Sequence, residues 1–260
     1  MQEHLDLKNN IILCETKVTR FAPDRKSCED GHGHGTPVAG TVLADAGSDG
    51  LGIYGVASEA NLIAVKVCDK RGSCYGDDIA AGIDYATTNG ANIISMSLGG
   101  SSPDSQIKEA IDSAVEAGVL VIAAAGNSGP NLDTINYPGG FANVVSVAAT
   151  DSSDTVAKFS SRGINETIFS FKDDRYMEVA APGVSVESAY IDGCYRTWSG
   201  TSMATPHIAG LSAKLWGENI SQSASDVRSL LHNNAEDISK GLHTREGYDP
   251  ASGFGLPIVA

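Results

Sequence analysis

The 260-residue chain predicts an α/β fold, one domain built on a parallel sheet with helices on both of its faces. Three observations carry this reading. Short continuous apolar runs rich in β-branched residues recur along its first half, the pattern of strands buried on both faces. Segments with apolar residues at helical spacing separate them, as crossover helices separate parallel strands. Glycine is abundant, 29 residues against 6% aromatic, which suits tight turns and close backbone approaches.

In order, the strands fall at residues 11–14, 62–67, 93–97, 119–124 and 144–148. The first helix starts at Thr36-Pro37 and runs to about Ala46, because a proline is tolerated in a first turn whose N–H groups have no acceptor within the helix. Helices at 77–88 and 104–117 open on aspartates, which favour a helix start. From Phe159 the pattern shifts to short strands and turns, with a polar interruption at 164–176 that reads as a surface insertion. The run from Met203 to Leu215 is apolar on nearly every face, as a buried helix must be, and Pro206 is assigned to its first turn. An amphipathic helix at 223–232 opens on Ser223-Ala-Ser-Asp226, which has capping-box spacing, and 249–257 is a turn followed by an edge segment. No internal repeat or low-complexity linker divides the chain.

The net charge of −14, from 32 acids against 18 bases with no basic cluster, argues against nucleic acid or an anionic membrane as partner. No apolar run reaches the ~18 residues of a membrane span, and the N-terminus has neither the basic nor the apolar region of a secretory signal. Of five cysteines, Cys68 and Cys74 flank a glycine-containing turn and Cys14 and Cys28 flank a polar loop. Two disulfides in those pairs would leave Cys194 over and imply an oxidising compartment.

Three stretches offer chemistry. In Ser199-Gly-Thr-Ser-Met-Ala-Thr-Pro-His207, Ser202 stands on a small-residue turn at the mouth of the buried helix, either as an N-cap or as a nucleophile at the helix's positive end. In Cys28-Glu-Asp-Gly-His-Gly-His-Gly-Thr-Pro-Val-Ala-Gly40, glycines flank His34 and open its imidazole to close approach, as for a general base. A structural histidine, or a zinc set of Cys28, Asp30, His32 and His34, competes, although no second Cys/His cluster accompanies it. In Val121-Ile-Ala-Ala-Ala-Gly-Asn-Ser-Gly129, Asn127 follows a buried strand where a parallel sheet places its ligands, as an oxyanion donor or a plain turn residue.

Together these stretches resemble the subtilisin-like serine proteases. His34-Gly-Thr-Pro-Val-Ala-Gly40, Ala124-Ala-Gly-Asn127 and Gly200-Thr-Ser-Met-Ala-Thr-Pro-His207 occur in that family's order. Lesser matches at Gly55-Val-Ala57, Ala64-Val-Lys-Val67, Ser95-Met-Ser-Leu-Gly99, Phe159-Ser-Ser-Arg-Gly163 and Ala181-Pro-Gly183 extend the likeness over nearly the whole chain. The resemblance implies an endopeptidase in which Ser202 is the nucleophile, His34 the general base, and Asn127 with the Ser202 N–H the oxyanion hole. It implies an extended peptide substrate held as an added strand between Ser97, Leu98 and Gly99 on one edge and Gly72 and Ser73 on the other, with Gly126 beside it. It further implies secretion, a propeptide as partner, and structural calcium at Asp6, Asp45 and Asp49, with no cofactor for the chemistry. Departures are Pro37 where the family commonly has histidine, Cys74 in the substrate-edge loop, and the insertion at 164–176.

The family's triad aspartate sits in an Asp-Ser/Thr-Gly turn about seven residues before an element that appears here as His4-Leu-Asp-Leu7, so by that alignment it falls before residue 1. The resemblance thus implies a sheet without its Asp-bearing strand, with unpaired ladder groups and uncovered apolar faces. Loss of the carboxylate alone costs about 10⁴ in kcat in a serine protease triad. Two other readings belong to different classes: a non-catalytic peptide-binding module that keeps the cleft, and an unrelated hydrolase. The absence of Gly-x-Ser-x-Gly and the His-before-Ser order argue against an α/β-hydrolase.

Overall fold

The computed structural model describes residues 4–20, 29–47, 50–166, 168–172 and 174–258. Strands β3 (Ile93–Met96), β4 (Leu120–Ala124), β5 (Val145–Thr150) and β6 (Val179–Pro182) form a parallel sheet in that order. Every residue of β4 and β5 is buried, because helices cover both faces. On one side α2 (Gly76–Thr88) and α3 (Ser105–Glu116) pack through Ile83 and Ile111 onto Val121. On the other, α4 (Thr201–Glu218) and α5 (Ala224–Asn233) pack through Ile208 and Leu231 onto Ile122. Adjacent β4 residues thus serve opposite layers, as the two-residue period of a strand requires.

Strands β1 (Ile11–Thr16) and β2 (Leu62–Lys66) pair in parallel as a separate sheet. Among the described residues no strand lies between β2 and β3; both line one cavity of about 1750 Å³, closed by residues of α1 (Gly35–Leu43), α2 and α4. Two short antiparallel pairs, β7 (Val186–Ala189) with β8 (Tyr195–Trp198) and β9 (Ala235–Glu236) with β10 (Leu256–Pro257), complete the described strands.

Three local expectations change. Helix α1 ends at Leu43 rather than near Ala46, since Ala44 already turns to an extended ψ of 139°. The N-cap of α4 is Gly200, so Ser202 lies inside the first turn and caps nothing. Pro206 is the sixth residue of that helix, beyond its first turn. Its missing N–H leaves the Ser202 carbonyl without a helical donor, and the Ser97 hydroxyl takes that place at 2.8 Å. The expected capping box of α5 is present between Ser223 and Asp226. Cys68 and Cys74 are bonded, with a Cα separation of 4.2 Å, and Cys194 is free and exposed. Cys14 is a disulfide cysteine, and Cys28, its expected partner, lies outside the described residues.

Candidate active site

The site lies where β3 and β4 leave the sheet at their carboxyl ends. Helix α4 starts directly behind it and brings Ser202 against the end of β3: the Ser202 hydroxyl donates to the Ser97 carbonyl at 3.3 Å, while Ser97 holds the Ser202 carbonyl. Two bonds between the same residues fix the serine relative to the sheet. Its N–H belongs to the first turn and has no acceptor within the helix.

From the end of β4, Gly126 turns the chain with φ of 102°, and a side chain there would collide with Asn136. Asn127 follows, exposed, and its Oδ1 accepts from the Thr201 N–H at 3.0 Å and the Thr201 hydroxyl at 3.2 Å. Those donors settle the orientation of the carboxamide, because only its oxygen can accept them; the two N–H donors of Nδ2 are left for the cleft. Thr201 also receives the Gly126 N–H at 3.1 Å, so one side chain ties the β4 turn to the start of α4. Sequence reasoning assigned Thr201 no role, although it stands inside the quoted serine motif.

His34 caps the start of α1 on the facing wall, with Asp30 organising the loop before it. The Asp30 carboxylate accepts from the N–H groups of His32, Gly33 and Thr36 and from the Thr36 hydroxyl, at 2.7–3.2 Å. Burial alone would raise this carboxyl, but the Gly33 and Thr36 donors outweigh it and hold Asp30 below the usual carboxylate range. Its oxygens are therefore committed to the loop rather than to a metal. The His34 ring meets His32 and Trp198 edgewise, each at a centroid distance of 6.3 Å, and neither ring nitrogen has a hydrogen-bond partner among the described residues. Burial, and then the neighbouring His32, push its pKa down, with Asp30 opposing. A depressed value keeps the imidazole neutral and basic near pH 7.

His34, Ser202 and Asn127 line the same cavity, with Gly72, Ser97, Leu98, Gly99 and Gly126. Gly99 permits close approach, since a Cβ there would come 2.9 Å from the Tyr137 carbonyl. Ser73 is not on that wall: its N–H donates to Asp69 Oδ1 at 3.0 Å and its carbonyl accepts from Asp69 N–H at 2.9 Å. Both of its backbone groups serve the loop, which Cys68–Cys74 closes. Asp6 and Asp45 meet at a remote corner, where the Asp45 N–H donates to the Asp6 carbonyl at 2.9 Å. The buried Asp6 carboxylate accepts from the Ile53 N–H at 3.0 Å and the Tyr195 hydroxyl at 2.9 Å, and Asp45 accepts from Gly47 and Asn9. Asp49 lies outside the described residues, among which no group of three His, Cys, Asp or Glu side chains could hold a metal.

The parallel sheet thus presents a hydroxyl at a helix start, beside it a carboxamide whose oxygen Thr201 holds, and a neutral imidazole on the facing wall, the kinds of group that nucleophilic-hydroxyl chemistry uses. The chain belongs to the subtilase family, whose profile matches residues 1–255. It is 46% identical over 274 aligned positions to "Subtilisin" of Bacillus sp. (strain TA39), covering 98% of this chain and 64% of that protein. It is 41% identical to "Subtilisin Savinase" of Lederbergia lenta, covering 84% of this chain and 76% of that one. Among solved structures, "Sphericase" superposes with a TM-score of 0.94 at 45% identity, covering all of this chain and 88% of that one. The chain thus spans under two thirds of the length of the first of these relatives.

Proposed function

We propose that this chain carries the machinery of a serine endopeptidase. The observation that carries the reading is the locked carboxamide of Asn127, whose free N–H donors stand beside the Ser202 turn. His34 removes the Ser202 hydroxyl proton as Oγ attacks the peptide carbonyl, and the resulting oxyanion receives bonds from Asn127 Nδ2 and the Ser202 N–H. Collapse returns the proton from His34 to the leaving amine and leaves an ester on Ser202, which water hydrolyses by the same path. The substrate lies extended between Gly72 and the edge Ser97 to Gly99, with Gly126 at its side; Ser73 supports the loop instead.

Peptide or protein substrate is the partner this implies, with a propeptide or an N-terminal segment as a further one. Export fits the disulfide Cys68–Cys74, and no helix among the described residues is long and apolar enough to cross a membrane. Calcium belongs to the proposal as a stabiliser only: Asp6, Asp45 and Asp49 would offer hard oxygen ligands, and a chelator should then lower Tm, whereas an unchanged Tm removes the ion.

A fluorophosphonate probe tests the chemistry. It should label the chain at Ser202, and Ser202→Ala should abolish labelling; labelling that survives in Ser202→Ala sinks the mechanism. One observation favours the second reading, a peptide-binding module without catalysis: no carboxylate bonds to His34 among the described residues. A chain that binds peptide yet never labels is that module.

A further inference from the structure

The His34 ring is flanked on two sides. One neighbour is His32, whose Nε2 lies 3.0 Å from where a Cβ on Gly72 would stand, so this is the side of the Gly72 edge. The other is Trp198 of β8, and from it a row leads away: Trp198 to Tyr190 at 6.1 Å between ring centroids, then the Arg196 guanidinium over the Tyr190 ring at 4.0 Å. Tyr190 is buried, and its hydroxyl closes so tightly on Gly33 that no Cβ would fit there.

The register of the β7–β8 hairpin sets this row. Residues two apart on a strand share a face, so Arg196 and Trp198 point the same way. Arg196 also lies directly opposite Ser188, whose hydroxyl donates to the Pro37 carbonyl of α1, so that face is turned toward α1 and the His34 loop.

Arg196 differs from the other described arginines. Arg20, Arg71, Arg175 and Arg228 pair with carboxylates, and Arg162 and Arg245 donate to carbonyl oxygens. Arg196 is exposed and stacks on Tyr190, and among the described residues no carboxylate lies within ion-pair distance of it. In a chain of 32 acids and 18 bases, a guanidinium left without an acid is an exception. Stacking fixes its plane and leaves its in-plane donors open to a carboxylate.

On the peptidase reading His34 hands its proton to the leaving amine, so the leaving segment starts at His34 and meets Trp198 next. Laid end to end, the three separations of the row span no more than about five residues of extended chain at ~3.3 Å each. We propose that Arg196 determines specificity on the leaving side: it binds a carboxylate, from an acidic side chain or a free C-terminus, about two to four residues beyond the scissile bond. Trp198 and Tyr190 form the floor on which that segment lies. That a bond is cut rests on the peptidase reading; that a carboxylate is bound rests on the hairpin.

The probes are internally quenched peptides with one cleavable bond, carrying glutamate, glutamine or lysine at the second, third or fourth residue beyond it. A further pair ends at the third residue in a free carboxylate or an amide, which separates a terminal from a side-chain source. At low salt kcat/KM should favour glutamate over glutamine by about fivefold at one of these positions, with lysine below glutamine. The preference should shrink toward unity in ~1 M salt, which screens exposed charges. Arg196→Gln should abolish it, and Arg196→Glu should turn it toward lysine. Cutting that is equal for carboxylate and amide peptides, or a preference that survives in Arg196→Gln, overturns the proposal and leaves the peptidase reading standing. If no peptide is cut, calorimetric binding of the same peptides decides. Tighter binding of the carboxylate peptide that is lost in Arg196→Gln upholds the Arg196 site and sinks the peptidase reading; binding without that difference, or none, overturns both.

Discussion

Replacing Glu178 with glutamine should cost far more than a surface change, because Glu178 is 1% exposed and bonded on both oxygens. Its Oε1 accepts from Arg228 Nε at 2.7 Å and His232 at 2.6 Å, and its Oε2 from Arg228 Nη2 at 2.6 Å. Removing the charge leaves Arg228, itself 13% exposed, buried against a neutral amide, a loss of about 3–5 kcal/mol. With an unfolding entropy of about 2.1 cal/mol/K per residue, or about 0.55 kcal/mol/K for this chain, Tm should drop by about 5–9 °C at pH 7. Burial alone would raise the Glu178 carboxyl, but Arg228 and His232 outweigh it and hold it below the usual range. A depressed native pKa contributes stability that is complete above the unfolded value of ~4.3 and disappears as pH falls through the native value. The Tm gap between wild type and Glu178→Gln, followed by calorimetry, should therefore narrow only in acid. The pair Glu178→Leu with Arg228→Met should recover part of the loss. A drop below about 1 °C, or a double variant no better than the single, would refute the reasoning.

Three further outcomes follow from the site. Asn127→Asp keeps the acceptor for Thr201 but loses the donors, so labelling and kcat should fall while Tm holds; the expected ~10² to 10³ is a figure known from subtilisins themselves rather than worked out for this chain. An Asn127→Asp enzyme of normal rate would remove Asn127 from the oxyanion hole. Because burial and His32 both depress His34, the acid limb of kcat/KM should lie below the ordinary histidine value of ~6.5 and move upward in His32→Ala; a limb that stays put assigns the depression to burial alone. Opening Cys68–Cys74 by Cys68→Ser with Cys74→Ser should cost about 2 kcal/mol, some 4 °C in Tm, and raise KM more than it lowers kcat, since the disulfide steadies the Gly72 edge.

The layered fold was legible because its strongest signals are local: β4 is apolar without interruption and β5 is broken only by Ser146 before it ends on Thr150, and α3 and α5 carry caps that the sequence spells out at Asp104 and Ser223. The end of α1 was not, since nothing in an alanine, a good helix former, demands the extended ψ of 139° that Ala44 adopts. Within the site, His34, Ser202 and Asn127 stand out as residue types, and the cavity does gather them. What holds them is long-range. Thr201 and Ser97 act through bonds to residues 74 and 105 positions away, respectively, a separation that no motif spacing encodes. Ser73 illustrates the converse: the family resemblance implied substrate pairing there, yet Asp69, four residues back, takes both of its backbone groups.

The two halves of the site belong to different bodies of the molecule. Ser202 is bonded to Ser97, and its neighbour Thr201 to Asn127, across α4 and the ends of β3 and β4. His34 starts α1, whose Pro37 carbonyl is held by Ser188 of β7 at 2.8 Å and whose Leu43 packs with Leu7 and Ala189, in a cluster flanked by Ile11 and Leu62 of the β1–β2 sheet. Direct packing of α1 on α4, through Val42 against the Ile208 cluster, joins these bodies, and the slot between β2 and β3 separates their sheets. The base and the nucleophile are thus registered by the packing of α1 on α4 and by the β7–β8 hairpin, which holds α1 through Ser188, meets His34 through Trp198 and runs directly into α4.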